Sequence, residues 1–289
     1  MNPTPAAAAR PPRIAIVDYG MGNRRSVEKA LAHVGAAPVL TGDHDELRRA
    51  DGLILPGVGA FPEAMLRLAE AGLDELIRER AGAEVPILGL CLGMQLAFER
   101  SAEHDGSPGL GIVPGEVREL RAGELKIPHI GWSPVRWRPA TPPACPSRAR
   151  SARHGALLAG LPDGSAFYHV HSYVAVPSDR ADWLGTAEYG ERFVTAVARG
   201  SFWGVQFHPE KSSTRGLRLL ANFAAVCLAG SGEAVAPGSG DAGAGGPGQA
   251  GLAGAGPAGG AGWGGTDIAG AGEPVAAGLT EHRGGMPAP

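Results

Sequence analysis

Two short stretches of this chain have the residue types and spacing of a nucleophile and its base. Gly89-Leu90-Cys91-Leu92-Gly93 follows the apolar run Pro86-Ile87-Leu88 and leads into Met94, Gln95, Leu96 and Phe98. A cysteine flanked two residues away on each side by glycine, between a strand and a helix, is the cysteine form of a nucleophile elbow. Such a turn is strained and its neighbours come too close for a Cβ, so glycine is needed at 89 and 93. A helix opening at Leu92 aims free N–H groups and its positive end at the sulfur, favouring thiolate over thiol. The same residues also fit a small buried cysteine that ends a core strand. A base elsewhere in the chain separates the two readings, and His208-Pro209-Glu210 offers one. In extended backbone, residues i and i+2 face the same side. Glu210 can then accept a hydrogen bond from one imidazole nitrogen while the other faces a nucleophile. Pro209 stiffens that spacing. Cys91, His208 and Glu210 form a candidate catalytic triad.

The elements around these stretches alternate. Residues 13–18 read as a strand buried on both faces, followed by the loop Tyr19-Gly20-Met21-Gly22-Asn23 and a helix over 26–33. A second strand covers 38–40, and a short helix covers 43–49 with Asp43 as its N-cap. A third strand over 51–55 stops at Pro56-Gly57-Val58-Gly59-Ala60. One helix follows, with Met65, Leu66, Leu68, Leu73, Leu76 and Ile77 at helical spacing and Gly72 interrupting it. Then come the strand of the elbow and a helix over 92–99. Strands alternating with helices give an α/β fold with an open, mostly parallel sheet and flanking helices, whose ligands bind beyond the C-terminal strand ends. Cys91 and the Pro56–Gly59 loop both fall there. The second half carries strand-like pieces at 113–120, 165–176, 183–187 and 193–198, the pattern of a small antiparallel annex. A strand at 201–207 leads into His208, and a helix over 214–228 closes the pattern.

Composition sets the outer limits. Of the 46 glycines, 21 lie in residues 230–289, a stretch nearly devoid of branched apolar side chains. Such a stretch cannot bury enough surface to offset its ordering entropy, so a disordered tail is expected there. Residues 1–12 read as a disordered extension, and 139–153, with four prolines and three arginines, as a surface insertion. The foldable domain is 13–229. Formal charge is −3, and outside the tail 25 basic residues face 24 acidic ones, so no basic excess points to nucleic acid. No apolar run reaches the roughly 18 residues of a membrane span. Three cysteines (Cys91, Cys145, Cys227) with no C-x-x-C spacing argue against both a disulfide framework and a metal site. The G-x-G of residues 20–22 lacks the rest of a dinucleotide fingerprint, so no cofactor is expected. A cytoplasmic protein is the simplest reading.

Six motifs together resemble the triad-type (class I) glutamine amidotransferases, over about residues 13–228. They are Asp18–Asn23, Leu55–Phe61, Gly89–Gln95, Pro128-His129-Ile130-Gly131-Trp132, Val170-His171-Ser172-Tyr173 and Gln206–Ser212. The elbow and the H-P-E are shared across the class. The P-G-V-G loop, the G-W segment, V-H-S-Y and the lysine after H-P-E are similar to the glutaminase subunits of imidazole glycerol phosphate synthase; the glutaminase component of another class I amidotransferase is the alternative. The resemblance implies hydrolysis of glutamine to glutamate and ammonia through a Cys91 thioester, with His208 shuttling the proton. It implies an oxyanion hole from the Leu92 N–H and the Gly57-Val58-Gly59 loop, where a peptide flip completes the site. It implies substrate contacts from Gln95, Glu103 and Ser172. It implies a heterodimer with a (β/α)8-barrel cyclase subunit that receives the ammonia in histidine biosynthesis, faced by Met21, Asn23, Trp132, Tyr168 and Lys211. His169 and Ser133 depart from the family pattern, which has an aromatic residue and an asparagine there.

Overall fold

The computed structural model describes residues 10–138 and 155–230. The expected tail, the insertion and most of the N-terminal extension lie outside the described residues. Arg10 belongs to the described part and forms an ion pair with Asp51.

Among the described residues the sheet holds thirteen strands. In chain order they are β1 Arg13–Val17, β2 Ala37–Thr41, β3 Gly52–Leu55, β4 Ile87–Leu90, β5 Phe98–Ser101, β6 Ser107–Pro108 and β7 Val113–Glu119. Then follow β8 His129–Trp137, β9 Ser165–His171, β10 Tyr173–Pro177, β11 Trp183–Tyr189, β12 Glu191–Arg199 and β13 Phe202–Val205. Its backbone is a parallel run in the order β2-β1-β3-β4-β13. Strands β3, β4 and β13 are buried throughout, as Leu/Ile/Val-rich strands covered on both faces should be. Helices α1 Arg24–His33, α2 His44–Arg49, α3 Phe61–Glu70 and α4 Leu73–Gly82 connect the first strands, and α5 Leu92–Leu96 follows β4. A long C-terminal helix, Ser213–Gly230, packs Leu220 and Phe223 with Leu88 and Trp203 on one face of the sheet. Phe61, Leu68 and Met94 fill the other face with Leu55 and Ile87. The expected α/β class holds, and β12, β10 and β7 extend the sheet with antiparallel pairings. The N-cap at Asp43 holds too: its carboxylate accepts from the Glu46 N–H at 2.8 Å.

Several boundaries differ from the sequence reading. The helix after the elbow ends at Leu96, because Phe98–Ser101 joins β7 as a strand, with Phe98 and Ser101 buried and Glu99 and Arg100 exposed. Tertiary pairing overrides local propensity there. The single helix around Leu73 is two, broken at Gly72, which takes a left-handed φ of 65°. The strand over 165–176 divides at Ser172: β9 pairs with β8, and β10 with β7. Strand β8 itself was not foreseen, since Pro128, Gly131 and Pro134 interrupt any strand pattern. It forms because β9 pairs with it from His129↔His171 to Val135↔Ser165.

Candidate active site

Cys91 stands at the C-terminal end of β4 with φ 53° and ψ −110°, the strained backbone of an elbow. The flanking glycines are there for space. A Cβ on Gly93 would overlap the Leu55 carbonyl, and one on Gly89 would lie 2.6 Å from the Gly93 carbonyl oxygen. Helix α5 has only five residues. What it offers the sulfur is therefore its first free N–H groups, that of Leu92 included, rather than a long dipole.

His208 comes to Cys91 from the neighbouring strand: Val205 of β13 pairs with Leu90, and its carbonyl accepts the Cys91 N–H at 2.8 Å. The imidazole is 5% exposed, and its Nδ1 lies 2.9 Å from Glu210 Oε1. That leaves Nε2 for the sulfur. The His–Glu pairing differs from the expected extended geometry, because Pro209–Lys211 forms a 3-10 turn. The turn still returns the carboxylate to the ring. Burial disfavours charge on His208, but hydrogen bonds to Cys91 and Glu210 outweigh it and raise its pKa to about 10. A pKa that high favours the imidazolium at neutral pH, the counter-charge that a thiolate would need. Glu210 Oε1 also accepts from the Asn23 side chain at 3.3 Å. Glu210 Oε2 is buried with no hydrogen-bond partner among the described residues.

Cys91 and His208 open into a pocket of about 290 Å³, lined also by Val58, Gly59, Leu92, Gln95, Glu103, Ser172 and Lys211. With Pro128 and Val170 also in its lining, the pocket brings together residues from five of the six sequence motifs. Gly57 lies behind it, packed so that a Cβ would sit 2.8 Å from the Leu92 Cβ. Tyr19 donates to the Pro56 carbonyl at 2.7 Å and anchors the start of this loop. Burial, then the nearby Cys91, push the Tyr19 phenol pKa well up. Gly59 has a φ of 105°, open to glycine and strained for other residues. Glu103 Oε2 accepts the Phe61 N–H at 2.8 Å. Both N–H groups of the Gln95 amide are used, by the Tyr173 carbonyl at 3.1 Å and Gln206 Oε1 at 2.9 Å. Its carbonyl oxygen is what it can offer a ligand.

The expected partner-facing residues divide. Trp132 is 54% exposed and meets Tyr168 edge to face at 6.1 Å, with Ile130 60% exposed on the same strand. Lys211 is exposed at the pocket. Met21 and Asn23 are half-buried, and Asn23 reaches inward to Glu210.

Other residues at the site carry no role in the sequence reading. Gln206, fully buried, places Nε2 3.6 Å from Cys91 Sγ. His171 lines the pocket, and its Nδ1 contacts the Tyr173 carbonyl at 3.0 Å while Nε2 meets His129 Nδ1 at 3.0 Å. His129 continues to Ser133 at 3.0 Å. His169 bridges the Phe167 carbonyl and Thr195. Burial, followed by the neighbouring histidines, lowers the pKa of His171 to about 3 and that of His169 well below the ordinary imidazole value, and burial also lowers that of His129. All three are neutral rings, and their environment of aromatic and hydroxyl neighbours explains it. The substitutions at 133 and 169 thus add polar partners to a buried cluster. Gln206 carried one sequence signal, a lone amide within an otherwise apolar strand.

Known proteins match this architecture. The family described as glutamine amidotransferase class-I matches residues 15–227. The chain is 50% identical over 210 residues to imidazole glycerol phosphate synthase subunit HisH of Moorella thermoacetica, covering 73% of this chain and 93% of that protein. The subunit of the same name from Methylococcus capsulatus is 46% identical over 219 residues, covering 73% and 94%. Among solved structures, PurLQS from Thermotoga maritima superposes with a TM-score of 0.56 at 18% identity, over 76% of this chain and 98% of that one. A structure described as a glutamine amidotransferase gives 0.54 at 17%, over 74% and 98%. Those structures share the fold, and the sequence relatives narrow it further. The chain belongs to the class I glutamine amidotransferase family, within its branch of HisH subunits of imidazole glycerol phosphate synthase.

Proposed function

We propose that the chain is the glutaminase subunit of an imidazole glycerol phosphate synthase and acts through Cys91, His208 and Glu210. The observation that carries this is an imidazole held by a buried carboxylate beside the elbow cysteine, at the edge of a pocket sized for a small amino acid. The Cys91 thiolate attacks the side-chain amide carbon of glutamine. The tetrahedral oxyanion takes hydrogen bonds from the Leu92 N–H and the Gly57-Val58-Gly59 loop. The C–N bond breaks as His208 passes its proton to the leaving nitrogen, which departs as ammonia. The now neutral His208 takes a proton from water, which attacks the glutamyl thioester and releases glutamate with the thiol. Glu210 holds the ring tautomer throughout. Gln95 and Glu103 hold the neighbours of the substrate amide and its amino group, and Ser172 adds backbone contacts. No metal or cofactor takes part in these steps.

The partner is a (β/α)8-barrel cyclase subunit. The exposed Trp132 and Ile130, with Tyr168 against Trp132 and Lys211 lining the pocket, support a docking face at the mouth from which ammonia leaves. Met21 and Asn23 stand at its margin. Among the described residues no helix is long and apolar enough to cross a membrane, and the relatives are biosynthetic subunits, so we place the enzyme in the cytoplasm. The test is glutamine hydrolysis with and without purified cyclase and its nucleotide ligand. The complex should be at least tenfold faster than the free chain. Cys91→Ala should lose roughly 10³-fold or more in kcat while calorimetry still detects glutamine binding. Hydrolysis by Cys91→Ala at the wild-type rate would refute the nucleophile.

A further inference from the structure

Cys91 Sγ lies between two polar groups of opposite sense. The Val170 carbonyl, 3.6 Å away, can only accept. The Gln206 amide, also 3.6 Å away, can present either an N–H or an oxygen. Which end it presents is decided elsewhere. Gln95 lies between the Gln206 amide and the Tyr173 carbonyl. A backbone carbonyl cannot reverse, so Gln95 must turn its NH₂ towards Tyr173. The second N–H of that NH₂ then points at Gln206, which must answer with Oε1. Gln206 is left with Nε2 towards the sulfur. His171, through Nδ1, donates to the same Tyr173 carbonyl and holds it from the other side. A flip of either amide would set oxygen against oxygen in a buried site, where an unpaired polar group is costly.

We propose that Gln206 is a positioning residue for the nucleophile, held with its N–H towards Cys91 Sγ by the fixed polarity of the Tyr173–Gln95–Gln206 chain. The N–H bond to sulfur gains strength as the thiol ionises, whereas the Val170 carbonyl favours the protonated thiol. Gln206 therefore favours the thiolate and draws the sulfur away from Val170. This role rests on the proposed nucleophile, but its chief readout does not require glutamine hydrolysis.

The experiment is iodoacetamide alkylation of the full-length chain at a series of pH values, with modification of the Cys91 peptide followed by mass spectrometry. Gln206→Met keeps the volume and removes the donor, and Gln206→Glu keeps the shape and replaces the donor by an acceptor. In both, the acid limb of the Cys91 profile should rise by about one pH unit, the scale of one hydrogen bond to a charged group. The glutaminase kcat should fall roughly tenfold with KM little changed. Wild-type alkylation profiles in the folded variants would overturn the proposal. So would a loss confined to KM, or failure of both variants to fold, which would make the role one of packing. A wild-type chain whose Cys91 alkylates normally but hydrolyses no glutamine would count against the proposed function and leave the Gln206 result readable.

Discussion

A carboxylate that is almost entirely buried carries its charge at a cost, and Glu210 is 1% exposed at its side chain. Its Oε1 is shared by His208 and Asn23 while Oε2 has no partner among the described residues. The anion is therefore held mainly by the imidazolium it helps to create. Glu210→Gln removes that charge and leaves a group of the same shape. Burial would then act on His208 against one favourable contact fewer, so its pKa should fall from about 10 towards the ordinary value. We expect the alkaline limb of the kcat/KM profile to move down by at least one unit and kcat to drop roughly 100-fold, with KM nearly constant. A stopped glutaminase assay over pH 6 to 10.5 reads both. Asn23 was expected at the partner interface, and its side chain instead reaches inward to Glu210 of the proposed triad.

At the level of elements, the elbow works because β4, α5 and the Pro56–Gly59 loop approach more closely than side chains permit. Gly93→Ala should force the Cβ into the Leu55 carbonyl and destabilise the domain by about 3 kcal/mol or more, a lower urea midpoint at unchanged slope. Gly82, exposed in the last turn of α4, meets nothing within 4 Å of a Cβ. Gly82→Ala should instead stabilise by roughly 0.5–1 kcal/mol. The pair of variants separates crowding from the general effect of losing glycine. The elbow strand and its glycines could be read directly from the sequence, because a buried parallel strand and its turn are local patterns. The hairpin of β8 and β9 could not. Proline and glycine hide β8, and only pairing with a strand some 40 residues later makes it one.

For the molecule as a whole, two sets of histidines pull stability in opposite directions with pH. His129, His169 and His171 are neutral in the fold with pKa values below 6.5, so the unfolded chain binds more protons as pH falls. Their contribution is present above about pH 6.5 and is lost on acidification, by up to about 1.4 kcal/mol per pH unit for each ring. His208 has the opposite sign. Its raised pKa makes a contribution that is complete below 6.5 and is lost as pH rises through about 10. Urea unfolding should therefore show greatest stability near neutral pH, with a steeper fall on the acid side. His208→Gln should flatten the alkaline arm and change the acid arm only slightly, since the His208 charge is the smallest of the influences that depress His169 and His171.

The sequence by itself determined the alternating α/β pattern, the candidate nucleophile with its two glycines, and the H-P-E pair downstream. Each is written in neighbouring residues, and local sterics or spacing of one or two positions suffice to read it. Tertiary structure alone decided how those parts meet. It set Val205 against Leu90 so that His208 reaches Cys91, turned the His–Glu pair through a 3-10 turn, and sent Asn23 inward. It also aligned Gln206, Gln95 and Tyr173, whose donors and acceptors come from three separate motifs. Charge on an imidazole and the direction of an amide depend on what is packed around them. Those neighbours are assigned by the fold, across more than a hundred residues of chain.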